Sequence, residues 1–120
     1  MKDITKNEDI KELVDSFYEK VNKDELLSPV FNDVAKVDWP KHLPTMYKFW
    51  GSMLLGTMDY KGQPFPKHAV LPINRDHFDR WIELFIETVD EHFAGSKAEE
   101  AKQRGAGVAM VFQTKMGLFN

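Results

Sequence analysis

Residues 39–68 read WPKHLPTMYKFWGSMLLGTMDYKGQPFPKH, opening on Trp39-Pro-Lys-His42 and closing on Pro66-Lys-His68. Two histidines, each in an apolar and proline-rich setting, bracket an aromatic segment. Asp38, just ahead of the run, is a good helix cap, and Pro40 suits a first turn. Pro44 does not suit a helix interior, because it lacks an N–H and its ring collides with the preceding turn. The pattern therefore predicts a main helix from about Leu43 to Leu55. Its apolar positions, Leu43, Met46, Tyr47, Phe49, Trp50, Met53 and Leu54, spread over a wide arc. Such a helix should be contacted on more than one side. Beyond it, Gly56, Gly62, Pro64, Pro66 and Pro72 restrict the centre of the chain to loops and helical pieces of about two turns.

Working outward, the period stays helical. Between Glu8 and Val21 the apolar residues Ile10, Leu13, Val14, Phe17, Tyr18 and Val21 form one stripe at i, i+3, i+4, i+7 spacing. Thr5 with Glu8 has the capping-box pattern, so the helix is expected to start there. Leu26 to Phe31, which contains Pro29, reads as a turn or two. Asn74 caps a helix to about Phe93 with Phe78, Trp81, Ile82, Phe85, Val89 and Phe93 inward. Ser96 with Glu99 offers another capping box, and the last helix runs to about Met116. Gly105 and Gly107 inside it cost about 1 kcal/mol each against Ala, so they point to close approach of another helix or a local break. No stretch reads as a strand, and there is no internal repeat.

The chain has 120 residues, which bounds it to one domain over 1–120. With 42% apolar residues it can bury a core, and its mean hydropathy of −0.45 is that of an ordinary soluble globule. The formal charge of −3 disfavours a generic basic surface for nucleic acid. The absence of cysteine excludes disulfides, thiolate metal sites, a thiol nucleophile and covalent attachment of a c-type haem. The longest apolar stretch, Gly105 to Phe112, is far short of the roughly 18–20 residues of a membrane span. The first twenty residues lack the apolar region of a signal peptide. A cytoplasmic protein is the expectation, with neither nucleic acid nor membrane as partner.

Among the histidines, His77 and His92 lie in polar contexts and read as solvated. None of the four has Glu three residues before it, so the paired signature of a bundle di-iron site is missing. No His-Glu-x-x-His zinc motif exists. His42 and His68 admit two readings: structural residues at helix edges, or neutral imidazoles aimed at a metal. Gly105-Ala-Gly107 follows no strand and is not a dinucleotide fingerprint. Glu83, Glu87 and Glu91 stand in a row that reads as a solvated face. The aromatic content of 12% fits either a core of large side chains or the walls of a cofactor site.

Taken together, Phe17-Tyr18, Val30-Phe31-Asn32, Trp39-Pro-Lys-His42, Phe49-Trp50, Gly62-Gln-Pro64, His68 and Trp81 resemble the group III truncated haemoglobins, a branch of small bacterial globins. The likeness covers almost the whole chain in order. Its most specific part is the string from Trp39 to His68, with the two histidines 26 positions apart and Trp81 thirteen beyond the second. The resemblance implies an all-α fold, a two-over-two helical sandwich around a haem. It implies His68 as the proximal iron ligand and Tyr18, His42 and Trp81 on the distal side. Phe31, Trp39, His42, Leu43, Met46, His68, Leu71, Phe78 and Trp81 are the implied cofactor contacts. His42 has three open roles: donor to a bound ligand, gate, or sixth iron ligand. The resemblance leaves the haem propionate contacts open, with Lys41, Lys67 and Arg75 as the basic residues that flank the predicted pocket.

The resulting expectation is a protein holding haem b noncovalently and binding O₂, CO and NO. Several donors in one pocket favour redox chemistry on NO or peroxide, or sensing, over oxygen storage. Turnover would need an external reductant, with a reductase as partner. A competing reading is a cofactor-free helical module whose aromatic groove takes a partner helix. A third, an enzyme using His42 and His68 with a non-haem metal, lacks carboxylate ligands at fixed spacing.

Overall fold

The computed structural model describes residues 1–57 and 73–117. Among them stand four long helices and no strand: α1 (Asn7–Lys23), α2 (Trp39–Leu55), α3 (Arg75–His92) and α4 (Ser96–Lys115). A single π-helical turn, Pro29–Val34, lies between α1 and α2. α1 packs on α2 and α3 on α4, while α1 also meets α3 and α2 meets α4. This is the two-over-two arrangement. No helix among the described residues is long and apolar enough to cross a membrane.

The stripe on α1 is the reason for this packing. Ile10, Leu13, Val14, Phe17, Tyr18 and Val21 are all buried. Phe17 meets Trp81 edge-on at 5.3 Å and Phe85 edge-on at 5.2 Å. Phe85 in turn stacks between Trp50, 4.8 Å away, and Trp81, 5.6 Å away and only 4° from parallel. One aromatic column thus ties α1, α2 and α3 together; offset and edge-on ring pairs add about 0.5–1.5 kcal/mol each beyond the area they bury. α4 completes the core through Gly105, which is buried against Phe85 and Ile82. The expected close approach holds at Gly105. It does not hold at Gly107, where an added Cβ would meet nothing within 4 Å.

Three boundaries differ from the sequence reading, each for a physical reason. The Thr5–Glu8 box is not the one used. Asp9 accepts from the backbone N–H groups of Thr5 and Lys6 and from the Thr5 hydroxyl, so the helix begins at Asn7. α2 begins at Trp39, not near Leu43, and runs through Pro44. Pro44 costs one hydrogen bond, to the carbonyl of Pro40, but both prolines are exposed, so the loss falls at the solvent-facing side of the helix. At the start of α4 the Ser96–Glu99 box is displaced by Asp3 from the opposite end of the chain. Asp3 accepts from the N–H groups of Lys97 and Ala98 at 3.0 and 2.8 Å. Gly95 makes that possible: its φ is +134°, and a Cβ there would stand 2.5 Å from the Asp3 carboxyl carbon.

The cap at Asn74 is as expected, its side chain accepting from the N–H groups of Asp76 and His77. The row Glu83, Glu87 and Glu91 faces solvent: Glu83 pairs with Arg80, and Lys20 reaches across from α1 to Glu87 and Glu91.

Candidate functional site

An apolar cleft, open to solvent, lies between the two helix pairs. The π-turn supplies Val30 and Phe31, α2 supplies Met46, Phe49 and Trp50, and α3 supplies Phe78 and Trp81. α4 forms the remaining wall with Val108, Ala109 and Phe112. Phe31, Met46, Phe49 and Trp81 are only half-buried, so large apolar faces border empty space. α2 can serve both this cleft and the aromatic column because its apolar residues span a wide arc.

At the inner end sits Tyr18, 6% exposed. Its ring is packed by Phe17 at 4.9 Å, Trp39 at 5.2 Å, His42 at 5.6 Å and Phe31 at 6.0 Å. Tyr18 also lines the cleft, and among the described residues none hydrogen-bonds its hydroxyl. Burial pushes the phenol well above its ordinary pKa, so it stays protonated and remains a donor. The hydroxyl borders the cleft, so it is placed to donate to a group held there.

Trp39 and His42 stand behind Tyr18 rather than in the cleft lining. The Trp39 indole donates to Asn32 Oδ1 at 2.8 Å and stacks on Phe31 at 6.0 Å. Asn32 is itself held, donating to Asn22 Oδ1, to the Ser28 carbonyl and to the Ser28 hydroxyl. This network joins the end of α1, the π-turn and the start of α2, and fixes the packing behind the phenol. His42 lies edge-on to both Tyr18 and Trp39, with ring centroids 5.6 Å from each. Leu43 packs against the core beside them.

Of the residues singled out by sequence, Tyr18, Phe31, Met46, Phe78 and Trp81 are brought together around the cleft. His68 and Leu71 lie outside the described residues, as does Lys67. His77 corrects its sequence reading: it is half-buried and lines the cleft, because its ring folds back onto the Asn74 cap. Leu27, Val108, Ala109 and Phe112 were not singled out as site residues. On α4, Val108, Ala109 and Phe112 stand at helical spacing, but periodicity cannot say whether an inward residue meets core or cleft.

The lining fits a flat, apolar, aromatic-sized group. It offers broad hydrophobic faces, the protonated phenol of Tyr18 and, in the same lining, the indole of Trp81. Among the described residues no group of three or more His, Asp or Glu is arranged to hold a metal ion, so these residues alone do not assemble a non-haem centre.

Comparison with known proteins agrees with the geometry. The family model described as Bacterial-like globin matches residues 2–116. The chain is 36% identical over 113 residues to the group 3 truncated hemoglobin ctb of Campylobacter jejuni subsp. jejuni, covering 91% of this chain and 89% of that one. It is 34% identical over 71 residues to the group 1 truncated hemoglobin GlbN of a Nostoc species, 58% of each chain. A crystal structure of the group III truncated hemoglobin from Campylobacter jejuni superposes with a TM-score of 0.87, covering 97% of this chain and 95% of that one. The chain belongs to the bacterial-like globin family and, within it, to the group III truncated haemoglobins.

Proposed function

We propose that this globin holds haem b noncovalently, with His68 as the residue that would bind its iron, and binds O₂ and other small diatomic ligands in the cleft that Tyr18 lines. Family membership supports a haem cofactor and small gaseous ligands. The absence of cysteine supports noncovalent attachment. The observation that carries the reading is Tyr18: a buried ring whose protonated hydroxyl borders an apolar cleft and has no hydrogen bond to another described residue.

Haem, when bound, supplies an iron with a coordination position for a diatomic ligand. The chain supplies everything else. Phe31, Met46, Phe78 and Trp81 cover the macrocycle and exclude water, which strengthens any hydrogen bond made inside. Tyr18 donates its phenol proton toward the partial negative charge of dioxygen, and the Trp81 indole is a second donor. His42, packed edge-on to Tyr18, holds the phenol in place. Two donors in a dry pocket slow ligand release, which suits chemistry on NO or peroxide, or sensing, more than storage. Turnover would draw on an external reductase.

Absorption spectra of the purified protein, oxidised, dithionite-reduced and CO-bound, test this reading. The expectation is a Soret band from one haem per chain that shifts on reduction and again with CO. A chain that takes up no haem when haem is supplied would instead be a cofactor-free helical module.

A further inference from the structure

We propose that His77 anchors the carboxylate edge of the porphyrin, an inference that rests on the haem reading above. Iron protoporphyrin IX is apolar over most of its surface but carries two propionate carboxylates on one edge. Sinking a carboxylate into an apolar cleft is costly, so that edge belongs where the cleft meets solvent and a donor. Of the described residues lining the cleft, Tyr18 and His77 alone carry ionisable side chains. Tyr18 is at the buried end. His77 is half-buried at the start of α3, with apolar Ile73 and Phe78 as neighbours in the lining.

The cap engages Nδ1 and leaves Nε2 on the free side of the ring. The backbone N–H of Asn74 donates to His77 Nδ1 at 3.1 Å. In the tautomer that accepts this bond, Nδ1 presents its lone pair and the ring proton sits on Nε2. Asn74 Oδ1 also lies 3.0 Å from Nδ1, but it already accepts from the N–H groups of Asp76 and His77. Nε2–H, on the opposite side of the ring, has no acceptor among the described residues. The helix cap thus orients the ring and, in that tautomer, leaves one N–H for a carboxylate.

The test compares haem with its dimethyl ester, whose carboxylates are blocked, by release of each into excess apomyoglobin. The quantity read is the ratio of ester to haem dissociation rates within one protein, which cancels any general loosening of the fold. In the native chain the ester leaves about tenfold faster, the size of one charge-assisted hydrogen bond near solvent. In His77→Leu the ratio falls to about one. In His77→Glu, which keeps an acceptor for the Asn74 N–H and so preserves the cap, the ratio drops below one, because carboxylate then faces carboxylate. A ratio in His77→Leu or His77→Glu equal to the native one overturns the anchor, as does a native ratio near one. Failure of the native chain to take up haem at one equivalent would instead overturn the haem reading itself.

Discussion

Gly105 of α4 lies so close to the ring of Phe85 that a β-carbon there would stand 2.8 Å from Cδ2 and 2.9 Å from Cε2. Phe85 cannot give way, since it is fully buried and stacked between Trp50 and Trp81. Gly105→Ala should therefore destabilise by about 1–3 kcal/mol, the range for overpacking a tight core. Gly107→Ala, two residues on, meets nothing within 4 Å and should stabilise by up to about 1 kcal/mol through helix propensity. Urea unfolding of the two variants should give opposite signs; equal signs would mean that α4 does not approach Phe85 as described.

Asp24 gives the fold an acid limit. Its carboxylate, 6% exposed, meets Arg80 Nε at 2.6 Å and accepts from the N–H groups of Leu26 and Leu27. Burial alone would push its pKa up, but the Arg80 guanidinium and these backbone bonds outweigh burial and hold it below the usual 3.8. A carboxyl that binds its proton more weakly when folded adds stability above the unfolded value and loses it as pH falls through the lower folded value. Stability should therefore drop below about pH 4. Asp24→Asn should cost about 1.5–3 kcal/mol at neutral pH and flatten that slope, as charged hydrogen bonds are worth. Unfolding midpoints from pH 7 to pH 3 check this; an unchanged slope in the variant would remove Asp24 from the account.

His68→Ala should lose haem or hold it weakly, because no second donor of comparable strength is assigned to the proximal side. Added imidazole should restore part of the ferrous spectrum by filling the position of the missing ring. Normal haem retention with an unchanged ferrous spectrum would place the axial ligand elsewhere.

The helices were legible where local rules decide them and obscure where distant residues do. The apolar stripe of α1 and the Asn74 cap of α3 depend on residues within one or two turns, and both stand as read. The start of α2 was hidden because Pro44 resembles a break, while its exposed position makes the lost bond cheap. The cap of α4 was hidden because Asp3 is more than ninety positions away in the chain. In the site, Tyr18, Phe31, Met46, Phe78 and Trp81 were legible through family resemblance. His77 was not: its Arg-Asp-His context reads as solvated, and only the folded cap turns its ring toward the cleft.

The most direct test of the account is the release of O₂ and CO from Tyr18→Phe, measured by stopped flow. The substitution removes one hydroxyl from a ring packed by Trp39, His42, Phe17 and Phe31, and keeps the shape of the pocket. If the phenol donates to dioxygen with about 1.4 kcal/mol, its loss speeds O₂ release about tenfold. CO is less polar when bound, so its release should change far less. Parallel changes for both gases, or no change in either, would make Tyr18 a packing residue and contradict the donor role on which the proposed function rests.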